Sequence, residues 1–283
     1  MTDQTNTDNA LNSEFLSKRN EESKQSLARK KMTPQQEFLP MWPDDMRCMP
    51  NELLRSALFT AKNRKQPREI LKLAPIYTIG TGNITYTGEE LRQDDETVWL
   101  QLIHLAKEQQ AGSSIEFTPY AFCKAIKWSL NGQSYNRLRT MLTRMQATAL
   151  SVYSKRLSKG VSLSMIPSFE YQDIQTGQSL NRWRVQIAPQ LVEIFGDVHF
   201  SRMEWEQRLN LPVGLATWLH GYLASHKDPF PIKIETIKQG AGLTTEDKSH
   251  LISTIEKALE SLSNIGFITD WKIEKDLVTV KRS

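Results

Sequence analysis

The chain has 283 residues, 39% of them apolar, and a formal net charge of +4. This length is sufficient for one large domain or for two domains of ordinary size. Its two cysteines, Cys48 and Cys123, lack the spacing of metal ligands, so we expect free thiols in a reducing compartment. No apolar run approaches the roughly 20 residues of a membrane span, and the N-terminus lacks a hydrophobic signal core, which predicts a cytoplasmic protein without a membrane partner.

Residues 1–40 are predicted to form a disordered tail, because polar residues dominate them and large apolar residues are few. A short apolar island inside this sequence is a candidate docking motif for a partner protein. The residues assigned to that motif are Gln35, Gln36, Phe38 and Leu39. The alternative is that Phe38 and the nearby Trp42 pack against the following domain, as large aromatic residues usually do.

Residues 41–74 are predicted to be a linker or leader segment, with regular structure beginning near Pro75. This segment contains a basic cluster, which is Lys62, Arg64, Lys65 and Arg68. We interpret the cluster as part of a solvated linker, slightly in preference to a phosphate contact.

The first folded domain is predicted to open with two short strands, 76–79 and 84–86, around a glycine-containing turn. A helix with an apolar face follows over about residues 94–110. Thr118–Pro119 then supplies an N-cap and a first-turn proline for a helix that ends near Lys127.

The next predicted helix runs from Tyr135 to about Leu150, after a turn at Asn131–Gly132 and a cap at Ser134. Its apolar residues have helical spacing and predict a buried stripe of Leu138, Met141, Leu142, Met145 and Ala149. The opposite face mixes long cations with small hydrogen-bonding residues, which is typical of a helix that enters a major groove. The residues assigned to DNA contact on this face are Asn136, Arg137, Arg139, Thr140, Thr143 and Arg144.

Between Phe117 and Phe169 the chain has eight Lys or Arg side chains and no Asp or Glu, so its positive charge is local. A basic field without acids to neutralise it suits a polyanion, because each cation that meets a phosphate releases counterions. The further cations of this run that we assign to DNA are Lys124, Lys127, Lys155, Arg156 and Lys159. A charged face that is merely solvated is the alternative.

Strand-like runs follow at 149–153, 161–169 and 183–187, and the first connection between them is basic. Three helices followed by a β-hairpin with a cationic tip is winged-helix order, in which the second helix of a helix-turn-helix lies in the groove. The order recurs in a helix at 212–225, a strand at 232–234, helices at 235–239 and 244–263, and a hairpin over 267–281. The predicted fold class is therefore α+β, with tandem winged-helix domains at 75–197 and 198–283.

The second domain is not expected to anchor DNA electrostatically, because Glu246 to Ser283 contains six basic and seven acidic side chains. It is expected to contribute base readout. Contacts to bases determine sequence specificity, whereas contacts to phosphates only position the protein on the DNA. The residues assigned to DNA contact in this domain are Lys248, Ser249, His250, Ser253, Lys257, Lys272 and Lys275.

Catalytic and cofactor chemistry finds no support in the sequence. The five histidines form no His-x-His pair of a metal-dependent nickase, and no glycine loop ends in Gly-Lys-Ser/Thr. The chain is therefore expected to be neither an enzyme nor a metal or cofactor protein.

Several short motifs carry a resemblance that spans roughly Trp42 to Arg282. They are Trp42-Pro43-Asp44, Met46-Arg47, Met49-Pro50-Asn51, Arg55–Thr60, Pro67-Arg68-Glu69, Ile84–Gly88 with Glu90-Leu91-Arg92, Gln146–Ala149, and Ser225-His226. In these motifs the chain resembles the TrfA family of plasmid replication initiators.

The resemblance implies paired winged-helix domains that bind iterons, the direct repeats of a plasmid origin, and then open the origin and load the host replicative helicase. It also implies a homodimer in equilibrium with an active monomer, and contacts with host DnaA and the sliding clamp. The family's clamp-binding pentapeptide, Gln-Leu-x-Leu-Phe, corresponds here to residues 35–39, which keep the leading Gln and a paired apolar end but lack leucine at the second position.

Two other classes of protein could use the same surfaces. A winged-helix transcriptional repressor would bind one palindromic operator in place of tandem direct repeats. A docking adaptor would bind acidic proteins and show little dependence on DNA sequence.

Overall fold

The computed structural model describes residues 38–80, 82–109, 112–154, 159–195 and 200–283. Most of the predicted tail, with Gln35 and Gln36, lies outside the described residues, as do Lys155 and Arg156. Lys159 is described as part of a strand, but its side chain is not.

Among the described residues the first strand begins at Met46, so the expectation that regular structure begins near Pro75 is wrong. Strand β1 (Met46–Pro50), helix α1 (Asn51–Leu54) and strand β2 (Phe59–Thr60) all precede that proline. β1 pairs with a strand about 150 residues later in the chain, β11 (Phe200–Glu204). A pairing this distant leaves no local pattern in the sequence, which explains why the strand was missed.

A four-stranded antiparallel sheet follows, in the order β3 (Ile70–Ile76), β4 (Asn83–Glu89), β7 (Ala149–Ser154) and β8 (Lys159–Leu163). The predicted hairpin around Gly80 is present, although its first strand lies earlier than predicted and pairs Ile76 with Ile84. A two-residue strand, β5 (Leu91–Arg92), pairs in parallel with β2.

Three helices of the first half were predicted, and their ends are shifted by a few residues. They are α2 (Gln93–Ala106), α3 (Pro119–Ala125) and α4 (Gly132–Gln146). Thr118 caps α3 as predicted, with its Oγ1 accepting from the amide of Ala121 at 3.1 Å.

The remaining strands of the first half form a second sheet, in the order β6 (Ser114–Phe117), β10 (Ser179–Gln186) and β9 (Ser168–Gln172). The strand predicted over 161–169 is therefore two strands, β8 and β9, which belong to different sheets. Helices α5 (Gln190–Phe195) and α6 (Trp205–Asn210) flank β11.

The second half contains three helices and a three-stranded sheet close to the predicted positions. The helices are α7 (Leu215–Ala224), α8 (Ile234–Gly240) and α9 (Lys248–Asn264). The sheet has the order β12 (Ile232–Lys233), β14 (Leu277–Arg282) and β13 (Ile268–Glu274). Gly266 follows α9 with φ 73°, which confirms the predicted left-handed helix end.

From residue 38 onward the described chain forms one compact unit of mixed α/β fold with two hydrophobic cores. The first core is built on α2, α3 and α4, and the second on α7, α8 and α9. The segment after α1 joins the two cores. The Trp218 indole donates to the Ser56 carbonyl at 3.2 Å, and the Ala61 amide donates to the Ala241 carbonyl at 2.8 Å.

Candidate nucleic-acid interface

Helix α4 has one buried face and one solvent-exposed face, which is called its open face below. Leu138, Met141, Leu142 and Met145 are buried as predicted, but Ala149 is exposed in β7, because the helix ends at Gln146 and the chain continues as a strand. The helix also begins earlier than predicted, at Gly132, and its N-cap is Asn131, whose Oδ1 accepts from the Ser134 amide at 2.9 Å. The open face presents four residues of the predicted contact set, namely Asn136, Arg139, Thr140 and Thr143.

Arg144 does not lie on that open face. Its side chain is only 9% exposed and forms ion pairs with Asp95 at 2.8 Å and with Glu89 at 3.1 Å. Its guanidinium charge is therefore satisfied inside the protein, and a phosphate contact would require both pairs to break. Arg144 was predicted to contact DNA, but it is therefore not part of the candidate interface.

Arg137 occupies an intermediate position, with a third of its side chain exposed. It donates to Asp94 at 2.8 Å and stacks over the Trp128 ring at 4.0 Å. The expectation that no acids neutralise the basic run is wrong, because Asp94 and Asp95 come from α2, outside the run.

These two aspartates lie at the N-terminal end of α2, within an ionic cluster. Asp95 is fully buried and also accepts from Arg68 at 2.7 Å and from the Arg92 amide at 2.8 Å. Burial raises the pKa of Asp95, the charge of Asp94 adds to the rise, and Arg68 and Arg144 oppose it. Burial also opposes ionisation of Asp94, but the hydrogen bond and charge of Arg137, together with the charges of Arg68 and Arg64, outweigh it and lower the pKa of that carboxyl.

The other cations of the first half that were predicted to contact DNA lie in different environments. Lys124 is exposed on α3. Lys127 follows α3 in the left-handed region with φ 54°, and its Nζ donates to Glu206 at 2.5 Å and to Asn210 at 3.0 Å. The connection between β7 and β8 contains Lys155 and Arg156, which lie outside the described residues.

Helix α9 presents the start of its polar face to solvent. Asp247 caps it by accepting from the amides of Ser249 and His250, at 2.8 and 3.1 Å. Ser249, His250 and Lys257 are exposed and Ser253 is half-buried.

The cations around the β13–β14 hairpin are mostly paired with nearby acids. Lys248 pairs with Asp276 at 2.8 Å and Lys272 with Glu274 at 3.1 Å. Lys275 is exposed at the hairpin turn with φ 47°. This hairpin therefore adds little uncompensated positive charge.

Two adjoining grooves separate α4 from α9. The larger has a volume of about 860 Å³ and is lined by residues 61–66, the start of α7, and His250 and Thr254 of α9. The smaller, of about 330 Å³, is lined by Ser134 and Arg137 of α4. Arg64, Asp94 and Val213 line both grooves.

The loop at residues 61–66 contains three cations of the basic cluster, which was interpreted as part of a solvated linker in slight preference to a phosphate contact. Its position beside both grooves was not predicted.

The apolar island near the N-terminus is partly buried. Trp42 and Leu39 are buried, and the Trp42 indole donates to Nδ1 of His104 at 3.2 Å. The packing alternative is thus confirmed for Trp42. Phe38, in contrast, is 49% exposed.

Among the described residues, no group of three or more His, Cys, Asp or Glu side chains could hold a metal ion. Within the same part of the chain, no helix has both the length and the apolar character needed to cross a bilayer.

The family model for TrfA protein matches residues 12–282 of the chain. The plasmid replication initiator protein TrfA of Escherichia coli is 37% identical over 243 residues, which cover 85% of this chain and 63% of that protein. The chain therefore spans less than two thirds of the length of that relative. A putative replication protein of Wigglesworthia glossinidia brevipalpis is 28% identical over 102 residues, 33% of this chain and 37% of that protein.

Solved structures of two other proteins have a similar fold. Domains 2 and 3 of RctB superpose with a TM-score of 0.56 at 13% identity, covering 82% of this chain and 98% of that one. The Pi initiator protein in complex with iteron DNA superposes with a TM-score of 0.53 at 12% identity, covering 86% of this chain and 100% of that one. At such identities the likeness shows a shared fold.

Proposed function

Since the chain belongs to the TrfA protein family, as its motifs predicted, we propose that it is a plasmid replication initiator that binds direct repeats at a plasmid origin. The observation that carries this proposal is the family match over residues 12–282, which includes both helices with open polar faces. The proposed activity is binding and assembly on DNA, without a catalytic step.

The architecture we propose for DNA binding is a tandem pair of winged-helix domains. In the first, α3 and α4 form the helix-turn-helix and the β7–β8 hairpin the wing; in the second, α8 and α9 are followed by the β13–β14 hairpin. Two findings support this assignment, the recurrence of the element order and the fold likeness to an initiator solved with iteron DNA. Helices α4 and α9 then occupy major grooves.

The two helices are proposed to contribute differently. Arg139 is exposed on α4, where its guanidinium lies 5.5 Å from the Tyr171 ring centroid, and Lys124 is exposed on α3; both can reach phosphate. Ser249 and His250 at the start of α9 offer hydrogen bonds for base readout. Affinity is therefore assigned chiefly to the first domain and sequence choice to the second.

Footprinting on the plasmid that encodes the chain tests the proposal. Regularly spaced protected direct repeats are expected. A single protected inverted repeat would favour the repressor, and no footprint would favour the docking adaptor.

A paired set of variants tests the division of labour between the helices. Arg139→Ala is expected to weaken binding to repeat and scrambled duplexes alike and to lower the log-log salt slope by about 1. His250→Ala is expected to weaken binding to the repeat alone. Equal losses on both duplexes for His250→Ala would reject its role in base readout.

We also propose the later steps that the family resemblance implies, which are origin opening, recruitment of host DnaA and the replicative helicase, and exchange between dimer and active monomer. Permanganate reactivity of the supercoiled origin tests opening. Co-sedimentation with the purified host proteins tests recruitment, and the sliding clamp belongs in the same assay because Phe38 presents half of its surface.

A further inference from the structure

The loop between β2 and β3 lies between the two helices assigned to DNA. Asn63, Arg64, Lys65 and Gln66 are exposed at its tip, and the Arg64 side chain is 54% exposed. Arg64 lines both grooves, so it stands between His250 of α9 on one side and Ser134 of α4 on the other. The loop therefore lies between the exposed faces of α4 and α9.

The backbone of this loop is fixed from beneath by a buried arginine. Arg92 donates from Nη1 to the Asn63 carbonyl at 2.7 Å and from Nη2 to the Pro67 carbonyl at 2.9 Å. Arg92 is itself held by Glu90 at 3.0 Å. The Asn63 side chain closes the turn by accepting from the Lys65 amide at 2.9 Å. The loop is thus ordered before any ligand arrives, which reduces the entropy lost on binding.

The charge at the loop tip is only partly compensated by the protein. Arg64 approaches Asp94 only to 3.7 Å, while that carboxylate lies 2.8 Å from Arg137 and 3.4 Å from Arg68. Three guanidinium groups therefore lie 3.7 Å or less from one carboxylate, although Arg68 pairs more closely with Asp95, at 2.7 Å. Asp94 is the one acidic side chain among the described residues that line the two grooves. Lys65 forms no ion pair with any described residue. Guanidinium groups crowded in this way are suited to a phosphate ligand.

We propose that Arg64 and Lys65 bind the phosphate backbone of duplex DNA between the two half-sites contacted by α4 and α9. The proposal rests on the proposed function, because it takes both helices as DNA-reading elements. Two helices of one protein that enter successive major grooves leave the sugar-phosphate chains between them facing the intervening surface, which here is this loop. Arg64 and Lys65 of the basic cluster then hold the DNA backbone, whereas Lys62 and Arg68 of the same cluster are ion-paired within the protein.

The test compares Arg64→Ala/Lys65→Ala with the wild type in fluorescence anisotropy titrations over a series of salt concentrations. The double variant is expected to lose affinity by the same factor for repeat and scrambled duplexes, and to lower the salt slope by about 1 to 2. Lys65→Glu, which breaks no ion pair in the described structure, is the second variant and should weaken binding further. Lys227→Ala is the matched control, because Lys227 is exposed just beyond the far end of α7, about 15 Å from the helix start at the groove.

Neutral methylphosphonate linkages locate the contact on the DNA. Placed between the two half-sites, they should weaken the wild type but have no further effect on the double variant. A double variant with the wild-type salt slope, or one that still responds to the neutral linkages, overturns the proposal while leaving the proposed function intact. A wild type that shows no preference for the repeat overturns both. Wild-type DNA affinity in the double variant together with loss of an acidic protein ligand would assign the loop to that ligand instead.

Discussion

Replacement of Arg144 by Met should destabilise the protein without changing its proposed electrostatic contact with DNA. Asp95 is fully buried and has two cationic partners, Arg68 at 2.7 Å and Arg144 at 2.8 Å. Removing the sole partner of a buried charge costs about 3–5 kcal/mol. Because Arg68 and the Arg92 amide remain, we expect roughly half of that, about 2 kcal/mol. The loss at Glu89 adds little, because water can solvate that more exposed carboxylate.

Urea unfolding at pH 7 measures this cost as a lower midpoint with an unchanged m-value. The stability lost in the variant should also depend on pH. Burial, followed by the charge of Asp94, raises the pKa of Asp95, and removal of Arg144 raises it further. A carboxyl with a raised folded-state pKa binds protons more tightly in the native state, so its contribution to stability falls as pH rises through that pKa. The deficit of the variant should therefore shrink as the solution is made more acidic.

Arg139→Met is the matched control on the same helix. Its side chain is exposed over Tyr171, and the loss of that contact should cost no more than about 1 kcal/mol. Its salt slope for DNA binding should fall by about 1, whereas the slope of the folded Arg144 variant stays at the wild-type value. An Arg144 variant with unchanged stability and a reduced salt slope would refute the reasoning and return Arg144 to the DNA interface.

Three further substitutions probe single features of the fold. Asn131→Ala removes the cap of α4 and should cost about 1 kcal/mol in thermal unfolding, and an unchanged melting temperature would contradict the capping role. Burial, aided by Arg208, lowers the pKa of His220 to about 3, so stability should fall as pH drops from about 6.5 towards 3. In acid unfolding, His220→Leu should flatten this fall by up to about 1.4 kcal/mol per pH unit. Gly266→Ala places a side chain at φ 73° and should cost about 1 kcal/mol in urea unfolding, a cost that Gly132→Ala, inside a helix, should not share.

The long helices could be predicted from the sequence because their information is local. Leu251, Ile255 and Leu259 recur at the helical period, and the structure buries all of them. The same holds for Leu138, Met141, Leu142 and Met145 of α4, whereas Ala149 of the predicted stripe lies beyond the helix end and is exposed.

The charge of the interface could not be predicted in the same way. A window of sequence sums only the charges inside it, and the acids that neutralise Arg137 and Arg144 lie some 40 to 50 residues earlier, at Asp94 and Asp95. Which arginines remain open to a ligand is thus a property of how α2 packs beside α4. β1 was missed for a related reason, because its partner strand is distant in the chain.

The end of α1 and the residue after it pack against α7, which matters for work with fragments of this protein. Arg55 donates to the Ser225 hydroxyl at 2.7 Å, and Leu54 packs so close to Gly221 that a β-carbon there would lie 2.9 Å from it. The side chains packed around α7 therefore include residues from a distant, earlier part of the sequence. A gene fragment that begins at residue 198 would express a half-protein whose α7 lacks these contacts, and its failure to bind DNA would say nothing about the role proposed for α9.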